Sequence, residues 1–252
     1  MKLNLLLAIG AAVILTVAAR ETRADDFDSA GVKIHYTVTG QGDPVILIHG
    51  LSSSAAMNWD LPGITAELAR HYQVIAPDCR GHGLSGKPTG EDQYGVEMVN
   101  DVIRLMDHLH IAKARVVGYS LGGMIVMKLV VHHPDRVSSA VLGGMGWLKT
   151  NSPLDRFWAV AGTRGHDRDS VLADCFHGAA NLAVTEDEVK AVKTPVTILV
   201  GDHDPCRRLY VEPLRTIRPD WPVHIIADAG HITCITKPEF KSKLAAALAA
   251  KP

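Results

Sequence analysis

A chain of 252 residues with 47% hydrophobic side chains is long enough for one α/β domain with a sizeable core. Its 26 basic and 27 acidic residues leave a formal net charge of −1, so no global field favours nucleic acid or an anionic membrane surface; a small molecule is the expected partner. None of the four cysteines, Cys79, Cys175, Cys206 and Cys234, sits in a CxxC or other metal-type spacing, which argues against a zinc site and leaves no metal expected.

At the N-terminus, Lys2 precedes an apolar run from Leu3 to Ala19, and the small residue Ala24 stands before Asp25 and Asp26. The pattern reads as a secretory signal over 1–24, cut after Ala24, that delivers residues 25–252 to the periplasm or the exterior without a stable membrane partner. An uncleaved anchor is the alternative, because the run approaches the length that spans a bilayer. A lipid anchor is disfavoured, because the first cysteine, Cys79, lies far from any point where a lipid could be attached. In an oxidising compartment the four cysteines could form up to two disulfides.

From Val32 onward, short β-rich runs alternate with longer helical patterns, as in a mostly parallel central sheet covered by crossover helices. Strands are predicted at Val32 to Thr39, Pro44 to His49, Tyr72 to Pro77, Ala114 to Gly118, Val137 to Leu142, Val196 to Gly201 and Val223 to Ala227. Apolar residues at helical spacing predict helices over Ile64 to His71, Val96 to His110 and Leu121 to His133, with a last covering helix over Pro238 to Ala250. Between Trp147 and about Lys193 no clean strand occurs, and Trp147, Phe157, Trp158 and Phe176 cluster there. This stretch, about 147–193, is read as a short helical cap insertion over the functional edge of the sheet, with those four aromatics as candidate substrate-binding residues.

The chemistry-bearing motif is Gly118-Tyr119-Ser120-Leu121-Gly122, set between a strand ending at Val117 and a helix starting near Leu121. A serine on so sharp a turn needs glycine on both sides, and the turn lifts its hydroxyl above the sheet beside the positive end of the next helix: a nucleophile elbow. Serine needs a base. Among 13 histidines, His231 is the candidate, since it follows Gly230 just after a late strand and gives the chain order serine, acid, histidine. His108, His110, His132 and His133 fall on or near helices, and His49 and His82 read as loop-shaping residues at strand ends. The carboxylate that orients the base is sought in Gly201-Asp202-His203-Asp204-Pro205; Asp204, further into the loop, is chosen, and Asp202 is read as a turn cap. Backbone N–H groups of Leu51 and Leu121 are the candidate oxyanion donors.

His49-Gly50-Leu51, the segment from Asp78 to Ser85, the Ser120 elbow, the Asp204 loop and Gly230-His231 together resemble the α/β-hydrolase fold superfamily, in particular its small single-domain serine esterase and lipase-like members. That resemblance implies a triad of Ser120, Asp204 and His231, no cofactor, and a cap at the irregular stretch. A serine at the elbow, where haloalkane dehalogenases and epoxide hydrolases of this fold carry aspartate, favours acyl chemistry. The expected activity is an exported hydrolase of small carboxylic esters working through an acyl-enzyme. The alternatives are a carbon–carbon bond or lactone hydrolase, or a cofactor-free perhydrolase, with the same triad, and, from another class, a non-catalytic small-molecule binding module. Buried free thiols are the first reading of the four cysteines; because hydrogen-bonded Asp204 and His231 would bring their loops side by side, a Cys206–Cys234 disulfide bracing them is the alternative.

Overall fold

The computed structural model describes residues 21–161 and 171–250. An eight-stranded sheet has the order β1-β2-β4-β3-β5-β6-β7-β8, built from β1 (Thr22–Ser29), β2 (Val32–Thr39), β3 (Asp43–Ile48), β4 (Tyr72–Pro77), β5 (Ala114–Tyr119), β6 (Val137–Gly143), β7 (Val196–Gly201) and β8 (Val223–Ile226). The β1–β2 and β2–β4 pairs are antiparallel, and every pair from β4 through β3 to β8 is parallel. The mostly parallel sheet expected from the sequence is thus present, with one strand more than its apolar runs predict.

The extra strand is β1, whose sequence TRADDFDS is polar and mostly exposed. An edge strand pairs on one side only and can carry charge, so it lacks the apolar pattern that marks the others. Ala24 lies inside it, opposite Thr37, and Thr22 Oγ1 meets Thr39 Oγ1 at 3.0 Å. The boundary expected after Ala24 therefore falls within a paired strand; residues 1–20 of the expected signal lie outside the described residues.

The central strand β3 shows why an uninterrupted apolar run is needed. Val45 and Leu47 face one core, Ile46 and Ile48 the other, and all four are fully buried. On the first side α1 (Ile64–Leu68) packs together with a C-terminal helix described below. On the second lie α2 (Val96–His108), which buries Met98, Val99, Val102, Leu105 and Met106, and α3 (Leu121–His132), which is buried nearly all round. After β6 come α4 (Pro153–Ala161), α5 (Val171–Ala179) and α6 (Glu186–Ala191), which occupy the irregular stretch. Then α7 (Glu212–Ile217) follows β7, and α8 (Pro238–Ala249) closes the first side with Phe240, Leu244 and Leu248 at four-residue spacing. No helix among the described residues is long and apolar enough to cross a membrane.

The Cys206–Cys234 bridge is not formed: all four cysteines are free. Cys206 directs its thiol to the Asp204 carboxylate, and Cys234 is buried against Tyr119, so the two sulfurs serve different neighbours.

Candidate active site

Ser120 sits between β5 and α3 at φ 54° and ψ −117°, a left-handed backbone that a non-glycine residue adopts only under constraint. The constraint comes from both sides. A Cβ on Gly118 would lie 2.0 Å from the Gly122 carbonyl oxygen, and one on Gly122 would lie 2.1 Å from the Ile48 carbonyl oxygen. The Ser120 N–H donates to Gly143 O at 2.8 Å, while its carbonyl accepts from Gly123 and Met124 in the first turn of α3. Only glycine on both sides lets the chain turn this tightly against β3.

The three polar candidates meet in a row. His231 Nε2 lies 2.8 Å from Ser120 Oγ, and His231 Nδ1 lies 2.8 Å from Asp204 Oδ2. A carboxylate only accepts, so Nδ1 carries the ring proton and Nε2 is left to accept from the serine hydroxyl. Asp204 is 3% exposed, and its other oxygen accepts the Cys206 N–H at 2.8 Å. Asp202 does a different job. Its carboxylate takes the N–H groups of Ala229 at 2.9 Å and Asp228 at 3.0 Å, and the first of these does most to hold it below the usual carboxylate range. Asp202 thereby fixes the loop from which His231 projects, the turn-stabilising part read for it from sequence.

On the other side of Ser120, the turn after β3 comes so close that a Cβ on Gly50 would be 3.2 Å from Ser120 Cβ. Gly50 N–H is taken by Asn58 Oδ1 at 2.7 Å, and Leu51, the next residue of this turn, is half-buried. Leu121 opens α3, where N–H groups have no intrahelical acceptor.

His49 shapes this turn from below. Its Nδ1 donates to Gly50 O at 2.7 Å and its Nε2 accepts Cys79 N–H at 2.9 Å; burial, with His82 adding to it, pushes its pKa down and keeps the ring neutral. Asp78 accepts from Ala55 N–H and Leu84 N–H, each at 2.8 Å, and ties the loops after β3 and β4 together. Beneath them Arg80, 1% exposed, grips Asp101 of α2 with Nε at 2.7 Å and Nη2 at 2.6 Å.

The four aromatics of the irregular stretch divide. Trp147 is buried in the core, with its indole N–H on Val184 O at 2.9 Å. Trp158 stacks on Phe176 at 5.4 Å between centroids and donates to Tyr210 Oη at 3.0 Å; Phe157, 55% exposed, meets Trp158 edge-on. Tyr210 follows the Asp204 loop, so this contact joins that loop to α4 and α5. The sequence carries no signal for Tyr210 and Tyr119, whose partners are distant in the chain, nor for Asn58, whose partner Gly50 lies eight residues away across an irregular turn. Phenolic Tyr119 donates to the backbone carbonyl of His231 and packs against its ring at 5.6 Å.

Comparison with known proteins agrees with this architecture. A family profile described as the alpha/beta hydrolase fold matches residues 43–164. The chain is 32% identical over 190 residues to a 2-hydroxymuconate semialdehyde hydrolase of Pseudomonas sp. (strain CF600), covering 73% of this chain and 65% of that protein, so the match spans less than two thirds of the relative's length. Among solved structures, it is similar to a 2-hydroxy-6-oxo-6-phenylhexa-2,4-dienoate hydrolase from Rhodococcus sp. strain RHA1, with a TM-score of 0.74 at 20% identity over 90% of this chain and 98% of the other. The enol-lactonase from Burkholderia xenovorans LB400 superposes with a TM-score of 0.74 at 23% identity over 90% of this chain and all of the other. With its sheet order, its serine turn and these matches, the chain has the α/β-hydrolase fold.

Proposed function

We propose that the protein is a serine acyl-hydrolase in which Ser120 attacks a carbonyl carbon, His231 moves the proton and Asp204 orients His231. The observation that carries this reading is the row Ser120 Oγ, His231 Nε2 and Nδ1, Asp204 Oδ2, with both links at 2.8 Å. Ser120 passes its proton to Nε2 as its oxygen bonds to carbon. The oxyanion that results is positioned for the N–H groups of Leu51 and Leu121, and Asp204 stabilises the imidazolium. His231 then gives the proton to the leaving group, and a water activated by the same ring releases the acid from Ser120.

For the leaving group we propose the alkoxide of a small carboxylic ester or lactone, which the triad expels with no further group. A second reading, carbon–carbon hydrolysis, is favoured by the similarity to the 2-hydroxymuconate semialdehyde hydrolase. There the same tetrahedral intermediate would expel a carbanion delocalised into a conjugated carbonyl, with the His231 proton going to carbon. A panel of short acyl esters and lactones against ring-fission diketones tests the choice. Turnover of esters or lactones at least tenfold above that of diketones supports the first reading, and the reverse order replaces it with the second.

Export is proposed on Lys2 and the apolar run from Leu3 to Ala19. N-terminal sequencing of protein from a periplasmic fraction tests it and locates the cut relative to Ala24. An intact Met1 in the cytoplasmic fraction overturns it.

A further inference from the structure

The sequence spacing of the cysteines gives no metal motif, but the fold assembles one from two loops. A carboxylate oxygen of Asp204, the sulfur of Cys206 and a ring nitrogen of His231 all lie within 4.8 Å of one another. We propose that these three side chains form an inhibitory site for a thiophilic divalent cation of the zinc class, so that metal capture and acyl transfer compete for one imidazole. The inhibition rests on the triad reading above; the binding itself does not.

The donor set selects the ion. Sulfur, imidazole nitrogen and carboxylate suit zinc, cadmium or cobalt, and are poor partners for magnesium or calcium. Tetrahedral zinc at bond lengths of about 2.0 to 2.3 Å holds its ligands roughly 3.5 Å apart. The His231 Nδ1–Asp204 Oδ2 contact at 2.8 Å opens by about 0.7 Å to reach that value, while the sulfur, within 4.8 Å of the other two donors, closes by at most about 1.3 Å through rotation about the Cys206 side chain.

The frame that carries the donors is already ordered. Asp204 and Cys206 share a turn closed by the Cys206 N–H on Asp204 Oδ1. The loop of His231 is held by Asp202 through Asp228 and Ala229, and by Tyr119 through its own carbonyl. Binding therefore orders few groups that are not ordered before it. His231 keeps 32% of its side chain exposed and Cys206 is only partly buried, so an ion can arrive from solvent while Asp204 waits beneath at 0%.

The step balances without a redox partner. The metal takes sulfur as thiolate, and the thiol proton leaves to water. It takes His231 through Nδ1, the nitrogen 2.8 Å from Asp204 Oδ2, and the ring proton moves to Nε2. A ring protonated at Nε2 donates to Ser120 where it must accept, so the nucleophile keeps its proton. A fourth, solvent-held position completes the tetrahedron.

Two readouts on the full-length protein test the site. Cobalt(II) added to the wild type should give one equivalent of near-ultraviolet sulfur-to-cobalt absorption, lost in both Cys206→Ser and Cys206→Ala. Zinc should inhibit wild-type turnover reversibly by chelator, and both variants, each normalised to its own metal-free rate, should need at least tenfold more zinc. Absence of the cobalt band in the wild type, or equal zinc sensitivity in all three proteins, overturns the proposal. A wild type that shows the band while Ser120→Ala keeps its turnover would overturn the triad reading and leave the metal site standing.

Discussion

Tyr119 and His231, 112 positions apart, are joined by a hydrogen bond from the phenol of one to the backbone carbonyl of the other. The residue next to the nucleophile thus holds the loop of the base, and one glycine-flanked turn sets both partners of the proton transfer. Removing only that hydroxyl in Tyr119→Phe forfeits about 0.5 to 1.5 kcal/mol of positioning. The expected result is a kcat roughly threefold to tenfold lower with KM unchanged. A raised KM with kcat preserved would place Tyr119 in substrate binding instead.

The two carboxylates of the β7 loop separate in the same way. Asp204→Asn leaves a group that can no longer fix the proton on Nδ1, and turnover should fall by about three to four orders of magnitude. Asp202→Asn loosens the backbone of Asp228 and Ala229 and should cost about tenfold at most. Steady-state rates of the two variants on one substrate check the ranking, and equal losses would mean that the roles are misassigned.

How far this was legible in the sequence depends on where each signal lies. Buried parallel strands such as β3 and β7 announce themselves, because burial on both faces demands consecutive apolar residues. Ser120 is legible because its turn is built from its immediate neighbours. β1 is hidden by the freedom of an edge strand to be polar, and Tyr119 and Tyr210 by partners far along the chain. Trp147 illustrates the converse: its aromatic character suggested a pocket wall, while its indole N–H is bonded inside the core. The free Cys206 and Cys234 show that adjacent loops do not by themselves bring two sulfurs together.

The glycines of the serine turn make a sterically specific prediction. In Gly122→Ala the new methyl would sit 2.1 Å from Ile48 O, backbone that cannot retreat, whereas a Cβ on Gly230 meets nothing nearer than Thr233 Oγ1 at 3.9 Å. Gly122→Ala should destabilise by about 1 to 3 kcal/mol or more, and Gly230→Ala by less than about 0.5 kcal/mol. Urea unfolding midpoints of the two variants against wild type measure the contrast.

Arg80 and Asp101 form a buried pair, so breaking it should cost more than deleting it. Arg80→Met leaves the Asp101 carboxylate, 6% exposed, with only the Ser29 hydroxyl at 2.5 Å and Arg104 at 3.8 Å, and should destabilise by about 3 kcal/mol. The double variant Arg80→Met with Asp101→Leu should recover at least half of that loss. A double variant as unstable as the sum of the two single ones would show that the pair contributes no coupling.

His49 and His82 both have pKa values pushed down, in each case chiefly by burial. In the folded chain they resist protonation, while unfolded they titrate near the ordinary value of about 6.5. The unfolded state therefore binds more protons below that pH, and the stability these rings contribute is full above it and is lost as pH falls through it. Between about pH 6.5 and 5, above the range of ordinary carboxylates, unfolding should take up as many as two protons through these rings, and part of a third through His132, whose pKa is also lowered by burial. Denaturant titrations at stepped pH give that number from the slope, and stability that is flat across the window would contradict neutral buried rings.

The most direct test of the central claim is covalent. A fluorophosphonate probe should label the wild type at one equivalent, peptide mapping should place the adduct on Ser120, and Ser120→Ala should take up none. Rapid labelling of Ser120→Ala, or no labelling of folded wild type, would contradict the assignment of Ser120 as nucleophile and return the protein to the class of binding modules built on this fold.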